Sequence, residues 1–316
     1  MVTMKSTRDG YGEGLLALGK ANPRVLVLDA DLAKSTRTDW FKKEFPERFF
    51  DLGIAEQDML GTAAGLALAD KIPFVTTYGV FVAGRAWDQI RTTIAYAALN
   101  VKIAGAHGGI SVGPDGATHQ ALEEIALMRV LPHMTLVVPC DAVESKKATI
   151  AAANQKGPVY LRFAREATPV FTTDSAPFEI GKSITLKTGS DLTIIGCGPI
   201  LYEALQAAAE LNKKNISARV INMHTVKPLD KQAIIAAAAE TGALVTAEEH
   251  QIYGGLGGAV AEVIVQNNPV PLEMVGIKDT FGESGTPEEL ADKYGLTARH
   301  IYQAALKVLV RKKTCQ

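Results

Sequence analysis

Short apolar runs that alternate with longer helix-like segments are the feature of this sequence that most restricts its fold. Strands that are apolar along their whole length and are connected by helices are typical of a parallel sheet covered on both faces. In the first half, each apolar run is followed by a segment with helical periodicity. These runs are "RVLVLDA" (24–30), "PFVTTY" (73–78), "VKIAGA" (101–106), "MTLVVPC" (134–140) and "PVYLRF" (158–163).

The alternation is interrupted once, near the middle of the chain. The stretch "EATPVFTTDSAPFEIGKS" (166–183) carries prolines, serines and threonines without a helical period, which indicates a linker. The alternation resumes at "DLTIIGCG" and continues to a helical end, "ARHIYQAALKVLV". We therefore expect an α/β protein with two doubly wound domains, residues 1–168 and 187–316, joined by a linker at 169–186.

Composition limits the partners and the compartment. The 33 basic and 34 acidic residues leave a net charge of −1, which argues against nucleic acid or an anionic membrane as the main partner. The three cysteines, Cys140, Cys197 and Cys315, form no CxxC pair and predict no disulfide framework. No apolar run approaches the roughly 20 residues that a membrane helix needs. We expect a cytoplasmic protein that binds neither nucleic acid nor membrane.

Two glycine-containing motifs do not meet the requirements of nucleotide-binding loops. "GGLGGA" (254–259) lacks the last glycine of GxGxxG, so it predicts a tight turn that opens a helix. "GKS" (181–183) lacks the glycine that a phosphate-binding loop has five residues earlier. No sequence pattern of a complete metal site is present, and we predict no metal site formed by this chain alone.

Glu56, in "DLGIAEQ" (51–57), is a single carboxylate in a stretch that otherwise indicates burial. A charged carboxylate in such surroundings is costly, so a function is expected for it. A helix N-terminal acid favoured by the helix dipole is the alternative interpretation.

The segment "GAHGGISVGPDGATHQ" (105–120) begins where a predicted strand ends, the position at which parallel α/β sheets bind ligands. It contains His107, Asp115 and His119 among several glycines. Two imidazoles and a carboxylate at this spacing can bind a polyhydroxylated substrate and transfer protons near neutral pH. A flexible polar loop whose histidines cap helices is the structural alternative.

Together these segments resemble a known family. "DLGIAEQDMLGTAAGLALADKIPFVTTYGVFV", "RAWDQIR", "GISVGPDGATHQALEEIALMRVLPHMTLVVPCDAVE" and "LRFARE" are similar to the pyrimidine-binding domain of transketolases. "VINMHTVKPLD", "VTAEEHQIYGGLGGAVAE" and "FGESG" resemble the transketolase C-terminal domain. The resemblance covers nearly the whole chain in one order.

The resemblance implies roles for the coenzyme-binding residues. Glu56 matches the glutamate that shares a proton with N1′ of the aminopyrimidine ring of thiamine diphosphate. Tyr78 and Phe81 match the aromatic pocket for that ring, and Phe81 is the better candidate for stacking. Asp31 matches an acid near the thiazolium ring, although capping of the following turn is an alternative.

The resemblance also implies a site for the sugar phosphate. His107, His119 and Asp115 match residues that bind the hydroxyls of the donor sugar and assist proton transfer. Three further residues, Arg8, Ser35 and Arg165, match the family's phosphate clamp. The segment departs from common transketolases at Pro114, where they have an acid, and at Gly108, where they have an aspartate. These departures leave the identity of the sugar open, with the pentose phosphates as the default.

The "GDG…N" segment with which such enzymes hold the diphosphate and Mg²⁺ is not found in the sequence. The resemblance therefore implies the C-terminal subunit of a split transketolase, whose separate N-terminal subunit holds most of the Mg²⁺ and diphosphate site. Self-association through both domains, into a heterotetramer or larger assembly, is expected. The predicted reaction is transfer of a two-carbon ketol unit from a ketose phosphate to an aldose phosphate.

Three alternatives remain at this point. Deoxyxylulose-phosphate synthases share "IAEQ"-like and "DGATHQ"-like segments, but His107 argues against that family. The beta subunit of a 2-oxo acid dehydrogenase has a similar length and also forms half of a site. A non-catalytic scaffold that retains the fold is the third alternative. The second half of the chain shows no comparable cluster, and we predict only structural support and dimer contacts there.

Overall fold

The computed structural model describes residues 3–314, so Cys315 lies outside the described residues. The described chain forms one seven-stranded sheet, one five-stranded sheet and one two-stranded ribbon. The strands are β1 (Met4–Ser6), β2 (Val25–Asp29), β3 (Phe49–Asp51), β4 (Ile72–Tyr78), β5 (Lys102–Ala106), β6 (Thr135–Val137), β7 (Val159–Arg162), β8 (Ala167–Pro169), β9 (Ile184–Lys187), β10 (Leu192–Gly196), β11 (Ala218–Asn222), β12 (Thr225–Lys227), β13 (Leu244–Gln251) and β14 (Leu272–Ile277).

Helices connect most of these strands. The α-helices are α1 (Thr7–Ala21), α2 (Ala33–Thr36), α3 (Thr38–Glu44), α4 (Glu56–Leu68), α5 (Trp87–Gln89), α6 (Glu124–Arg129), α7 (Ala142–Asn154), α8 (Leu201–Asn212), α9 (Lys231–Thr241), α10 (Leu256–Asn267), α11 (Pro287–Lys293) and α12 (Ala298–Thr314). Short 3₁₀-helices lie at Pro46–Arg48 and Ile110–Asp115, and π-helices at Phe81–Arg85 and Ile90–Ala95.

The larger sheet has the strand order β12–β6–β7–β5–β4–β2–β3. All its neighbouring pairs are parallel except β12 with β6. Because side chains alternate between the faces of a strand, β2 sends Val25 and Val27 into one core cluster and Leu26 and Leu28 into another. Both faces are therefore buried, as the continuous apolar runs predict.

The smaller sheet has the order β14–β13–β10–β11–β9. Four of its strands are parallel, and β9 pairs antiparallel with β11 at the edge. Helices α8 and α12 pack on one face through Leu201, Leu211 and Ile301. The predicted class, α/β with two doubly wound units, is confirmed.

The two halves of the chain are joined more closely than a simple linker suggests. Strand β12 belongs to the second half by sequence but pairs with β6 in the first sheet. Strand β8 folds back to pair with β1. One core cluster also contains residues of both halves, such as Ile103 and Val260. The boundaries at 168 and 187 stay a prediction, and part of the predicted linker is strand β9.

Two local predictions differ from the structure in detail. The segment "AGRAWDQIRTTIAYAAL" does form helical turns, but they are two π-helical segments around the short α5. Strand β3 was not predicted, because three residues are too few to show a period. The prediction that "GGLGGA" opens a helix is confirmed, since Gly255 is the N-cap of α10.

Among residues 3–314, no helix has the length and apolarity needed to cross a membrane.

Candidate active site

The carboxyl edge of the larger sheet brings most of the predicted residues to one region. Tyr78 is the last residue of β4, His107 directly follows β5, and Arg165 follows β7 by three residues. These three strands are neighbours in the sheet. Parallel strands present their carboxyl ends at the same edge, so residues distant in sequence come together there.

Glu56 is the first residue of α4 and its side chain is 1% exposed. Both of its carboxylate oxygens accept hydrogen bonds from Nη1 of Arg85, at 2.9 and 2.8 Å. The Arg85 side chain is 49% exposed, so the ion pair lies at the surface end of a buried carboxylate. The carboxylate of Glu56 therefore faces both the helix N-terminus and a guanidinium.

Aromatic rings connect Glu56 to the histidines. The Arg85 guanidinium lies over Phe81, 4.9 Å from the ring centroid. Phe81 stacks on Tyr78 at 5.7 Å, and Tyr78 stacks on His107 at 3.9 Å. His119 meets the edge of both aromatic rings, at 5.5 and 6.2 Å. The structure therefore joins five of the predicted residues through Arg85 into one continuous set of contacts.

His107 is held in an unusual backbone conformation. Its φ is +59°, in the left-handed region that few residues other than glycine adopt, and this strain is common at functional sites. The ring is buried, and its Nδ1 has no hydrogen-bond partner within residues 3–314. Burial lowers the pKa of His107 to about 3, and nearby guanidinium groups contribute in the same direction. The imidazole is therefore neutral at pH 7.

The predicted phosphate clamp has two parts. Arg8 lies in the first turn of α1, and its Nη1 donates to the carbonyl of Ser35 at 2.8 Å. Arg165 donates to the carbonyl of Val112 at 2.8 Å and to Asp115 at 3.3 Å. A cation in the first turn of a helix is destabilised by the helix dipole. An anion bound between Arg8 and the helix N-terminus would offset this cost.

Asp31 is not joined to the other predicted residues by a hydrogen bond within residues 3–314. Its backbone has φ +63°, and its N–H donates to Asp51 at 3.1 Å. Asp29, not Asp31, organises the following turn, because it accepts from the N–H of Leu32 and from the hydroxyls of Thr36 and Thr38. The capping alternative for Asp31 is therefore wrong, whereas its role near a coenzyme stays a prediction.

Two residues at the site were not predicted. Arg85 lies in the quoted segment "RAWDQIR", but only the fold shows that it reaches Glu56. Arg37 lowers the pKa of Arg8 by charge repulsion, in addition to the larger effect of burial, and is itself held by Asp9 at 2.7 Å. A signal for Arg37 was available, because it follows Ser35 closely in sequence.

Among residues 3–314, no three His, Cys, Asp or Glu side chains come together as a possible metal site.

The Glu56–Arg85 pair predicts a measurable coupling in stability. Arg85→Met leaves a buried carboxylate unpaired, and we expect the free energy of unfolding to fall by about 1–2 kcal/mol. In a Glu56→Gln background the same change should cost much less, because no charge remains to be paired. Urea denaturation at one fixed protein concentration measures both. Arg24→Met, which removes the exposed pair with Asp70, is the control, at about 0.5 kcal/mol or less. Equal costs of Arg85→Met in both backgrounds would contradict the coupling.

The depressed pKa of His107 predicts that its ring does not titrate between pH 8 and 5. The pKa of His107 is about 3 in the folded state, whereas an unfolded histidine has a pKa of about 6.5. Between pH 3 and pH 6.5, the unfolded state therefore binds more protons than the folded state. The contribution of His107 to stability is therefore complete above about pH 6.5 and is lost as the pH falls towards 3. NMR of ¹³C-labelled histidine, with His107→Gln for assignment, measures the titration. A midpoint near 6.5 would refute the burial argument.

Comparisons with known proteins agree with this architecture. Residues 3–170 match the family model "Transketolase, pyrimidine binding domain", and residues 181–301 match "Transketolase, C-terminal domain". A solved structure described as "Split gene transketolase, inactive beta4 tetramer" is 49% identical, with a TM-score of 0.92, and covers 98% of this chain and 99% of that chain.

Two relatives are named as subunits of transketolases. The "6-deoxy-6-sulfo-D-fructose transketolase subunit SqwH" of Clostridium sp. is 42% identical over 96% of this chain and 95% of its own length. A relative from Phocaeicola vulgatus, named as a subunit of an apulose-4-phosphate transketolase, is 40% identical over 96% of this chain and 97% of its own length. The two family models together match residues 3–170 and 181–301, and the chain belongs to the transketolase family.

Proposed function

We propose that this chain supplies the coenzyme-activating and donor-binding half of a thiamine-diphosphate-dependent transketolase. With a separate N-terminal subunit, it transfers a two-carbon ketol unit from a ketose phosphate to an aldose phosphate. The observation that carries this proposal is the continuous set of contacts from Glu56 through Arg85, Phe81 and Tyr78 to His107. Those side chains combine a buried acid, an aromatic wall and a neutral imidazole at one sheet edge.

The described residues suit an aminopyrimidine ring. Glu56 offers a buried carboxylate, and Tyr78 and Phe81 offer aromatic rings beside it. When bound, thiamine diphosphate supplies the electron sink that cleavage of a C–C bond beside a carbonyl requires. In this proposal Glu56 exchanges one Arg85 hydrogen bond for the ring nitrogen and holds a proton there. The Mg²⁺ and diphosphate contacts are assigned mainly to the N-terminal subunit.

The donor site is proposed beside His107. A neutral imidazole can accept a proton or hydrogen bond from a sugar hydroxyl at pH 7, whereas an imidazolium cannot accept one. His119 is oriented by Thr118, whose hydroxyl lies 2.9 Å from Nδ1. Arg8 and Arg165 suit the anionic end of the sugar, because guanidinium groups bind phosphate oxygens with strong, directed hydrogen bonds. The same groups would accept a sulfonate in place of a phosphate.

The partner and the assembly are part of this proposal. The names of the two relatives contain the word subunit, and the solved structure is described as an inactive tetramer of one subunit type. By analogy, this chain should self-associate and be inactive until the N-terminal subunit joins it. We propose a heterotetramer as the smallest active form, working on sugar phosphates in the cytoplasm.

Reconstitution tests the proposed function directly. The chain, mixed with a separately produced N-terminal transketolase subunit from the same genome, thiamine diphosphate and Mg²⁺, should transfer ketol units from xylulose 5-phosphate to ribose 5-phosphate. Neither chain alone should do so. Glu56→Gln should lower the rate by about 10²-fold or more, because it removes the proton-holding acid.

Three outcomes would contradict this assignment. Ketol transfer by the single chain would remove the need for a partner. Decarboxylation of pyruvate with no use of ketose phosphates would favour a deoxyxylulose-phosphate synthase or a 2-oxo acid dehydrogenase subunit. If the chain added no affinity for the coenzyme to the assembled complex, a non-catalytic scaffold would be the better description.

The phosphate clamp predicts a selective defect. Arg165→Met should raise the KM for a phosphorylated donor by about tenfold or more, since one charge-assisted hydrogen bond is lost. The KM for the same sugar without its phosphate should stay within about twofold. Arg24→Met, at an exposed arginine paired with Asp70, is the matched control and should change neither value. Equal losses for both donors would place Arg165 outside the phosphate site.

A further inference from the structure

The loop of residues 107–120, which carries His107, Asp115 and His119, is held in place by the second half of the chain. The Glu249 carboxylate accepts a hydrogen bond from the backbone N–H of Ser111 at 2.6 Å. The Gln120 side chain donates to the carbonyl of Glu283 at 2.9 Å. Both acceptors lie more than 130 residues further along the chain, at the end of β13 and in the segment "FGESG".

Glycines make the contact between this loop and the second half close. A Cβ at Gly109 would lie 2.2 Å from Oε1 of Glu249, and a Cβ at Gly116 would lie 2.6 Å from Oγ of Ser284. From the other side, a Cβ at Gly282 would lie 1.8 Å from the Gln120 amide oxygen. A side chain added at any of these positions would require the facing side chain to shift.

The backbone of Glu249 is anchored separately from its side chain. Arg162, a buried residue of β7, donates to the Glu249 carbonyl at 2.8 Å and to the carboxylate of Glu124 at 2.5 Å. The Glu249 backbone is therefore fixed to the larger sheet through Arg162, and its side chain connects this fixed position to the loop at Ser111. Burial raises the pKa of the Glu249 carboxyl, so its place in the interior is costly and indicates a specific use.

The neighbouring residue, Glu248, shows what a purely structural carboxylate does in this strand. It is also buried and accepts the backbone N–H groups of Leu256 and Gly257, at 2.7 and 2.8 Å. Those groups belong to the first turn of α10, inside the second half. Glu248 therefore supports its own half, whereas Glu249 reaches into the other one.

We propose that Glu249 is a positioning residue for the donor sugar: it fixes the Ser111 backbone and thereby the direction in which the loop presents its two histidines and Asp115. The proposal rests on the function proposed above. It gives the second half of the chain a part in substrate affinity, where only structural support and dimer contacts were predicted. Glu249 touches neither coenzyme nor sugar in this account and acts through the loop.

Two conservative variants distinguish the effect of the length of the Glu249 side chain from the effect of its charge. Glu249→Asp keeps the charge but withdraws the acceptor by about 1.5 Å, one C–C bond length, so Ser111 loses its partner. Glu249→Gln keeps an acceptor oxygen at full reach and loses the charge. Glu248→Asp and Glu248→Gln are the matched controls, with the same chemistry at a buried glutamate one residue earlier.

In the reconstituted enzyme, Glu249→Asp should raise the KM for xylulose 5-phosphate by about tenfold, because a misplaced binding loop weakens contacts to the sugar. Its affinity for thiamine diphosphate should stay within about twofold. Glu249→Gln should restore the KM to within about threefold of the parent enzyme. Neither Glu248 variant should change the KM, even where it lowers the melting temperature. A general loss of stability would instead affect all four variants without this order.

A second measurement needs no activity and uses the chain alone. Amide hydrogen exchange in peptides covering 107–120 should be faster in Glu249→Asp than in Glu249→Gln and the Glu248 variants. Equal exchange in all four variants would overturn the proposal, whatever the enzyme does. A further outcome is that exchange follows the expected order while the KM for an active donor does not change. In that case Glu249 anchors the loop without affecting sugar binding, and the proposal is wrong.

Absence of any ketol transfer in the parent complex would refute the proposed function instead. Hydrogen exchange alone would then test whether Glu249 holds the loop through Ser111.

Discussion

A buried guanidinium, that of Arg162, is the interaction on which the arrangement of the site depends. It lies at the end of β7 in the larger sheet and is paired with Glu124. Burial by itself would lower the pKa of Arg162, but the charges of Glu124 and Glu249 outweigh this effect and raise the pKa above its ordinary value. It also donates to backbone carbonyls at Ala121 and Glu249. One side chain thus joins the sheet, the residue that follows the loop of residues 107–120, and the second half of the chain. Removing either charge would leave the other buried without a partner, which is strongly destabilising.

Charge and burial divide the site into two regions. Around Glu56, a helix N-terminus and the Arg85 guanidinium both face the carboxylate. Around His107 the geometry favours a neutral base, because burial and three guanidinium groups oppose a further positive charge. An aromatic wall of Tyr78 and Phe81 separates them. The two ends of the site therefore differ in electrostatic surroundings: positive groups face a carboxylate at one end, and at the other they oppose a positive charge on an imidazole.

Local patterns were sufficient for much of the fold. The apolar runs predicted the central strands of both sheets, because a strand that is buried on both faces is apolar along its whole length. They did not predict β3, β9 or β12. The helix ends at Asp141 and Gly255 also follow from local chemistry. Strands of three residues, such as β12, have no detectable period and depend on a partner strand for their existence. The π-helical turns near Arg85 are likewise set by packing and not by propensity.

The candidate site could be predicted only in part. Residue types and order were enough to single out Glu56 and the segment 105–120, and the resemblance to a known family added Tyr78 and Phe81. The contacts of Arg85 with Glu56 and of Glu249 with Ser111 bridge 29 and 138 residues and could not be predicted in this way. Amino-acid order alone therefore specifies which chemical groups are present and which stretches form strands and helices, since both are local properties. Which groups meet depends on the order of strands in the sheets and on packing between the two halves, and these are properties of the folded chain as a whole.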